Sequence, residues 1–180
     1  MKQAGKVHSI ELKVTDLQQL FNTIDPSPFH ERDLDAEAEE FIVASADESP
    51  KDTRLCLVVH MAKPDPKVPE PQELVARSLK HYFEYRAEVT LRQLKQLIRQ
   101  GRVSLLIGLA FLILCNAAAT LFAPGSGTWH GILREGLSIL GWVAMWHPLE
   151  ILLYRWWPVL QLKKLHARLA QAEVVVNVGS

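Results

Sequence analysis

Cysteine is nearly missing from this chain: Cys56 and Cys115 are the only two among 180 residues. So few thiols exclude both a disulfide-stapled secreted module and a four-cysteine zinc site. A surplus of either charge is missing too, because 20 Lys and Arg balance 20 Asp and Glu. Without a cationic surplus no domain-wide neutralisation of phosphates is possible, which disfavours nucleic acid as a partner. There is no Gly-rich phosphate loop, no G-x-S-x-G elbow and no Cys–His pair at a recognisable spacing. The sequence therefore indicates no enzyme, no catalytic residue, no cofactor and no small-molecule substrate. The opening MKQAGKVHSIEL lacks the apolar core of a signal peptide.

What is present is apolar length and an uneven spread of charge. Residues 1–65 carry 13 acids and 7 bases, whereas residues 66–180 carry 7 acids and 13 bases. Within the second part, residues 103–123 (VSLLIGLAFLILCNAAATLFA) hold no charge. At 1.5 Å per residue they span about 31 Å, close to the hydrocarbon thickness of a bilayer. Eleven of them are Leu, Ile, Val or Phe, worth on the order of −5 kcal/mol toward insertion. A second run, 136–154, is interrupted by His147, Pro148 and Glu150 but ends in an aromatic belt of Tyr154, Trp156 and Trp157. The pattern predicts a transmembrane helical hairpin with helices at 103–123 and 136–154 and an external loop at 124–135.

Flanking bases orient the hairpin. Arg86, Arg92, Lys95, Arg99 and Arg102 precede the first span, and Arg155, Lys163, Lys164 and Arg168 follow the second. The loop has only Arg134, beside Glu135. The excess places both termini in the cytoplasm and leaves Cys56 and Cys115 as unpaired thiols.

The remaining segments predict a small cytosolic domain. Residues 8–14 alternate apolar Ile10, Leu12 and Val14 with polar Ser9, Glu11 and Lys13, as a half-buried strand does. A short helix follows, capped by Thr15 or Asp16, with Leu17, Leu20 and Phe21 on one face. A second helix over about 35–46 places Ala38, Phe41, Ile42 and Ser45 at helical spacing. Arg54 to Met61 is nearly all apolar and predicts a strand covered on both faces. Residues 64–71, with Pro64, Pro66, Pro69 and Pro71, form a stiff linker. A juxtamembrane amphipathic helix then covers 72–102, its stripe running through Leu79, Tyr82, Phe83, Leu91, Leu94, Leu97 and Ile98. Residues 155–180 read as a basic helix and a strand at 174–178. The predicted class is α+β: a cytosolic domain of about three strands in 1–63, its sheet joined by the C-terminal strand, on a membrane hairpin.

Two segments, DPSPFHERDLD (25–35) and EGLSILGWVAMWHPLE (135–150), resemble a family of uncharacterised bacterial two-span inner-membrane proteins. The resemblance implies a location in the bacterial cytoplasmic membrane. It brings no activity, ligand or catalytic residue.

Two clusters carry chemistry worth testing. The first is acidic: His30, Glu31, Asp33, Asp35 and Glu37. An HExxH zinc site beginning at His30 needs His at 34, where Leu34 stands. A calcium loop beginning at Asp33 needs Gly at 38 and Glu at 44, where Ala38 and Ala44 stand. No metal is indicated; a capped helix start with a solvated acidic face accounts for the pattern. Glu31, Asp33, Asp35 and Glu37 remain a candidate protein-docking face, and a metal-dependent enzyme at His30, Asp33 and Asp35 is the weakest alternative. In DPSPF the prolines favour a tight turn over catalysis by Asp25 or Ser27. His8 and His60, alone in their strands, favour packing over ligation.

The second cluster lies in the spans: His147 and Glu150 share a helix face, with Asn116 on the other span. Antiparallel alignment places Glu150 near Gly108, where the first span would cover the carboxylate; its place about one turn from Arg155 equally allows it to reach the cytosolic interface. Small residues Gly108, Ala110, Ala117–Ala119, Gly136 and Gly141 permit close helix approach, which predicts self-association or pairing with another membrane protein. The leading expectation is a membrane-anchored adaptor or regulatory subunit. The alternative is a pore or transport component using His147 and Glu150.

Overall fold

The computed structural model describes residues 7–22, 28, 32–62, 70–122 (residue 122 by its backbone alone) and 128–179. The chain divides into two compact units: Met1–Val89 with Gln161–Ser180, and Thr90–Leu160. It is a mixed helix-and-sheet protein with three parallel strands and two long apolar helices.

The first unit starts with β1 (Val7–Val14), whose alternation turns Ile10 and Leu12 inward. A one-turn 3-10 helix, Leu17–Gln19, follows. Asp16 caps it, its carboxylate accepting from the Gln18 N–H at 2.8 Å. Leu17, Leu20 and Phe21 are all buried, as their spacing predicts. Asp35 caps α1 (Ala36–Asp47) by accepting from the Glu37 N–H at 3.0 Å, and Glu37 and Glu39 in the first turn favour the helix dipole. β2 (Arg54–Met61) matches its predicted limits. The linker prolines 64, 66 and 69 lie outside the described residues, while Pro71 opens α2 (Pro71–Phe122) at the first helical position, where its missing N–H costs nothing. α4 (Trp156–Leu169) and β3 (Glu173–Val178) end the chain.

The strands stand in the order β1-β2-β3, each pair parallel, with Ile10 beside Leu57 and Val59 beside Val176. Parallel neighbours need long crossovers, and α1 supplies the first. One sheet face (Ile10, Leu12, Leu55, Leu57, Val59, Met61) packs on Ile42 and Ala46 of α1, Val75, Leu79 and Phe83 of α2, and Leu165 and Leu169 of α4. Each of these side chains other than Ala46 contributes about 1.5–3 kcal/mol when taken out of water. The other face stays half open: Cys56, Val58 and His60 are only partly buried. β2 is thus covered on one face, not on both, because all the packing helices lie on the same side of the sheet. Phe41 also departs from expectation. It is 51% exposed, since Ile42 and Ala46 set the buried stripe of α1 and Phe41 falls outside it.

Two polar devices finish this unit. Arg168 of α4 donates through Nη2 to Ser49 Oγ and to the carbonyls of Pro50 and Thr53, each at 3.1 Å, closing the loop between α1 and β2. Gln72 of α2 acts as a surrogate strand: its Oε1 accepts from the Val176 N–H at 2.6 Å and its Nε2 donates to the Val174 carbonyl. The outer edge of β3 is thereby satisfied in part, which blunts edge-to-edge pairing there.

The second unit contains the rest of α2, α3 (Thr128–Glu150), a π-helical turn Ile151–Arg155 and the start of α4. Helix begins at Thr128, so residues 128–135 of the predicted external loop are helical. Trp129, Ile132 and Leu133 lie three and four apart, a spacing that continues the helix instead of a turn. The segments predicted as a juxtamembrane helix and a first span form one helix without a break. The π turn begins three residues after Pro148, whose ring removes one intrahelical donor.

Candidate functional site

The first candidate region is polar and joins three helices of the first unit. Glu39 of α1 accepts from Tyr82 Oη at 2.7 Å and pairs with the Arg86 guanidinium at 2.6 Å. His166 of α4 is 2% exposed, hydrogen-bonds to the backbone of Arg86, and lies with its ring 6.3 Å from that of Phe83. Burial raises the Tyr82 hydroxyl far above its ordinary range, and the bond to Glu39 adds to this. Burial also lowers His166 below the ordinary value of 6.5, aided by the nearby Arg86 charge, while Glu39 and the Arg86 backbone oppose the shift. A neutral histidine, a protonated phenol and one closed ion pair hold helices together; they offer no free base or nucleophile.

The acidic face is smaller than its sequence suggests. His30 and Glu31 lie outside the described residues. Asp35 is occupied in capping α1, and Glu39, which composition did not distinguish from its neighbours, is occupied by Tyr82 and Arg86. Asp33 and Glu37 are exposed. Glu40, Phe41, Ala44, Asp47 and Glu48 extend the exposed surface of α1, leaving an aromatic ring among carboxylates. The described residues contain no group of three or more His, Cys, Asp or Glu placed to hold a metal ion.

In the second unit the small residues define a seam. Gly101, Gly108 and Cys115 of α2 recur every seven residues and are buried, as is Ala119. A methyl group at Gly108 would stand 3.1 Å from Met145 Sδ, 3.3 Å from the Ala144 carbonyl oxygen and 3.5 Å from Pro148 Cγ. One at Gly141 would meet Leu112 Cδ1 at 2.6 Å, and one at Gly101 would meet Ile151 Cγ2 at 2.9 Å. The Ala144 carbonyl is the one Pro148 deprives of its helical donor, so proline and glycine meet where the helices approach most closely. Gly136 has nothing within 4 Å, and Ala110 and Ala117 are exposed, so these three expected packing residues lie off the seam. Gly101 was missed because it precedes the uncharged run; its signal was the seven-residue spacing to Gly108 and Cys115.

Around this seam the surface is apolar. Leu106 is 68% exposed, Trp146 73%, and Ile107, Ile113, Leu114, Trp142 and Val143 are similarly open. His147, Glu150 and Asn116 are on this outer surface as well, with Asn116 donating to the Leu112 carbonyl at 2.9 Å. The expected cover of Glu150 by Gly108 is overturned: Pro148, Ala144 and Met145 occupy that position. His147 borders a shallow groove formed by Ile139, Trp142, Val143 and Trp146.

No family model, curated protein or solved structure matches this chain.

Proposed function

We propose that the chain is a membrane-anchored adaptor or regulatory subunit, its helical hairpin crossing the bacterial cytoplasmic membrane with both termini inside. The observation that carries this reading is the inverted burial of the second unit, with Gly and Cys at the seam and Leu, Ile and Trp outside. In the richest window of each long helix only 17% of residues are buried. Water penalises such a surface at about 25 cal/mol per Å², while lipid does not. The bases flanking the spans support the orientation. Alkaline extraction of a membrane fraction tests it: the chain stays with the lipid if the reading holds and enters the supernatant if it fails.

The partner-facing surface in this reading is the outer side of α1, where Phe41 stands among Glu37, Glu40, Asp47 and Glu48. An exposed aromatic ring ringed by like charges suits a partner segment with basic and apolar residues. Asp33 is kept in the docking set, whereas Asp35 is not, because its carboxylate is committed to the helix cap. Phe41→Ala combined with Glu37→Lys and Glu40→Lys abolishes partner recovery from mild-detergent extracts; unchanged recovery removes this surface.

A second reading, a pore or transport component, is favoured by the exposure of His147 and Glu150. Ionisable groups facing lipid demand protein or water as neighbours, and a second copy would provide both, so self-association belongs to either reading. Ion flux in liposomes that Glu150→Gln abolishes supports the pore; absent flux returns the hairpin to anchoring alone.

A further inference from the structure

On α2, where charge gives way to the apolar run, lies a groove that neither reading uses. Its lining is Lys95, Gln96, Arg99, Gln100, Val103 and Ser104. Their steps of one, three and four residues place them on a single helix face. Lys95 and Arg99 are exposed, and among the described residues neither has an ion-pair or hydrogen-bond partner. No acid lines the groove. It offers an ammonium, a guanidinium fork, two amides and a hydroxyl, each able to donate, within three turns. Directly beyond Val103 the exposed surface becomes hydrocarbon, with Leu106 and Ile107 in the next turn. A suitable occupant carries a phosphate at one end and an alkyl chain at the other, with no cation of its own to compete with Lys95 and Arg99.

We infer that this groove binds the phosphate of an anionic phospholipid. The Arg99 fork and Lys95 ammonium engage the phosphate oxygens, with Gln96, Gln100 and Ser104 as neutral donors. The acyl chain runs along α2 past Val103. The inference rests on the membrane reading, since a lipid reaches this face only if the apolar run lies in a bilayer.

The test is native mass spectrometry of the full chain released from phosphatidylcholine nanodiscs containing a minor fraction of phosphatidylglycerol. The wild-type chain retains phosphatidylglycerol above its share of the disc. Lys95→Gln combined with Arg99→Gln weakens that retention about 30-fold and leaves phosphatidylcholine retention and the melting temperature unchanged. Lys163→Gln combined with Lys164→Gln removes the same charge elsewhere and leaves phosphatidylglycerol retention intact. Equal retention by the Lys95/Arg99 variant, or an equal loss in the Lys163/Lys164 variant, overturns the site. Displacement of the lipid by inorganic phosphate assigns the groove to free phosphate and likewise overturns it. Failure to enter phosphatidylcholine discs at all is a different result, one that removes the membrane reading itself.

Discussion

The two units of this protein bury opposite kinds of residue. In the sheet-containing unit the largest side chains are innermost: Phe83, Phe21, Leu57 and Met61 are almost fully enclosed, and the exposed face of α1 is mainly acidic. In the hairpin unit the smallest residues are innermost, with Gly101, Gly108, Cys115 and Gly141 at the seam, while Trp142, Trp146 and Leu106 face outward. Water drives the first arrangement, because removing apolar area from it is the main favourable term in folding. The second is what close helix packing gives when the surroundings are as apolar as the side chains. On the proposed reading, one chain is patterned for two solvents.

The comparison is broken most severely by exchanging size in each unit. Phe83→Ala should cost about 3–5 kcal/mol in the sheet-containing unit, read as a lower denaturation midpoint by circular dichroism. In the hairpin the rule reverses. Leu106→Ala should leave stability in detergent within about 0.5 kcal/mol, whereas Gly108→Leu should cost about 1–3 kcal/mol through overpacking against Ala144 and Met145. A Leu106→Ala loss equal to that of Phe83→Ala would mean that protein covers this surface.

Next in size is the polar tie among α1, α2 and α4. Glu39→Ala leaves Tyr82 Oη and the Arg86 guanidinium without their shared acceptor and should cost about 1–3 kcal/mol, while Glu40→Ala, one residue away and exposed, should be neutral. The pH response is smaller. The folded state holds His166 below its ordinary 6.5, so the unfolded chain takes up the proton first as pH falls. Stability from this group is complete above pH 6.5 and declines below it, by at most about 1.4 kcal/mol per pH unit. His166→Phe should flatten the dependence of the melting temperature between pH 6.5 and 5; an unchanged slope would assign it to other groups.

Local patterns were legible in the sequence where one segment decides its own structure. The Arg54–Met61 strand, the Asp16 cap and the three strands follow from alternation and capping chemistry within a few residues of each site. Relations across the chain were not. Glu39 looks like any acid in its run until Tyr82 and Arg86, more than forty positions away, fold against it. Gln72 carries no mark that it will pair with β3. Parallel strand orientation is a property of the connections, which no single strand reveals. In the hairpin, antiparallel alignment offered Glu150 a place opposite Gly108 or one at the interface; Ala144, Met145 and Pro148 stand opposite Gly108, and Glu150 is exposed.

Lipid as the solvent of the hairpin is the central claim, and Trp142 reports on it directly. In a variant whose other four tryptophans are replaced by phenylalanine, reconstituted with lipids brominated at mid-chain, the Trp142 fluorescence should be strongly quenched by the bromines and indifferent to aqueous iodide. Quenching by iodide with no response to the brominated chains would contradict the account.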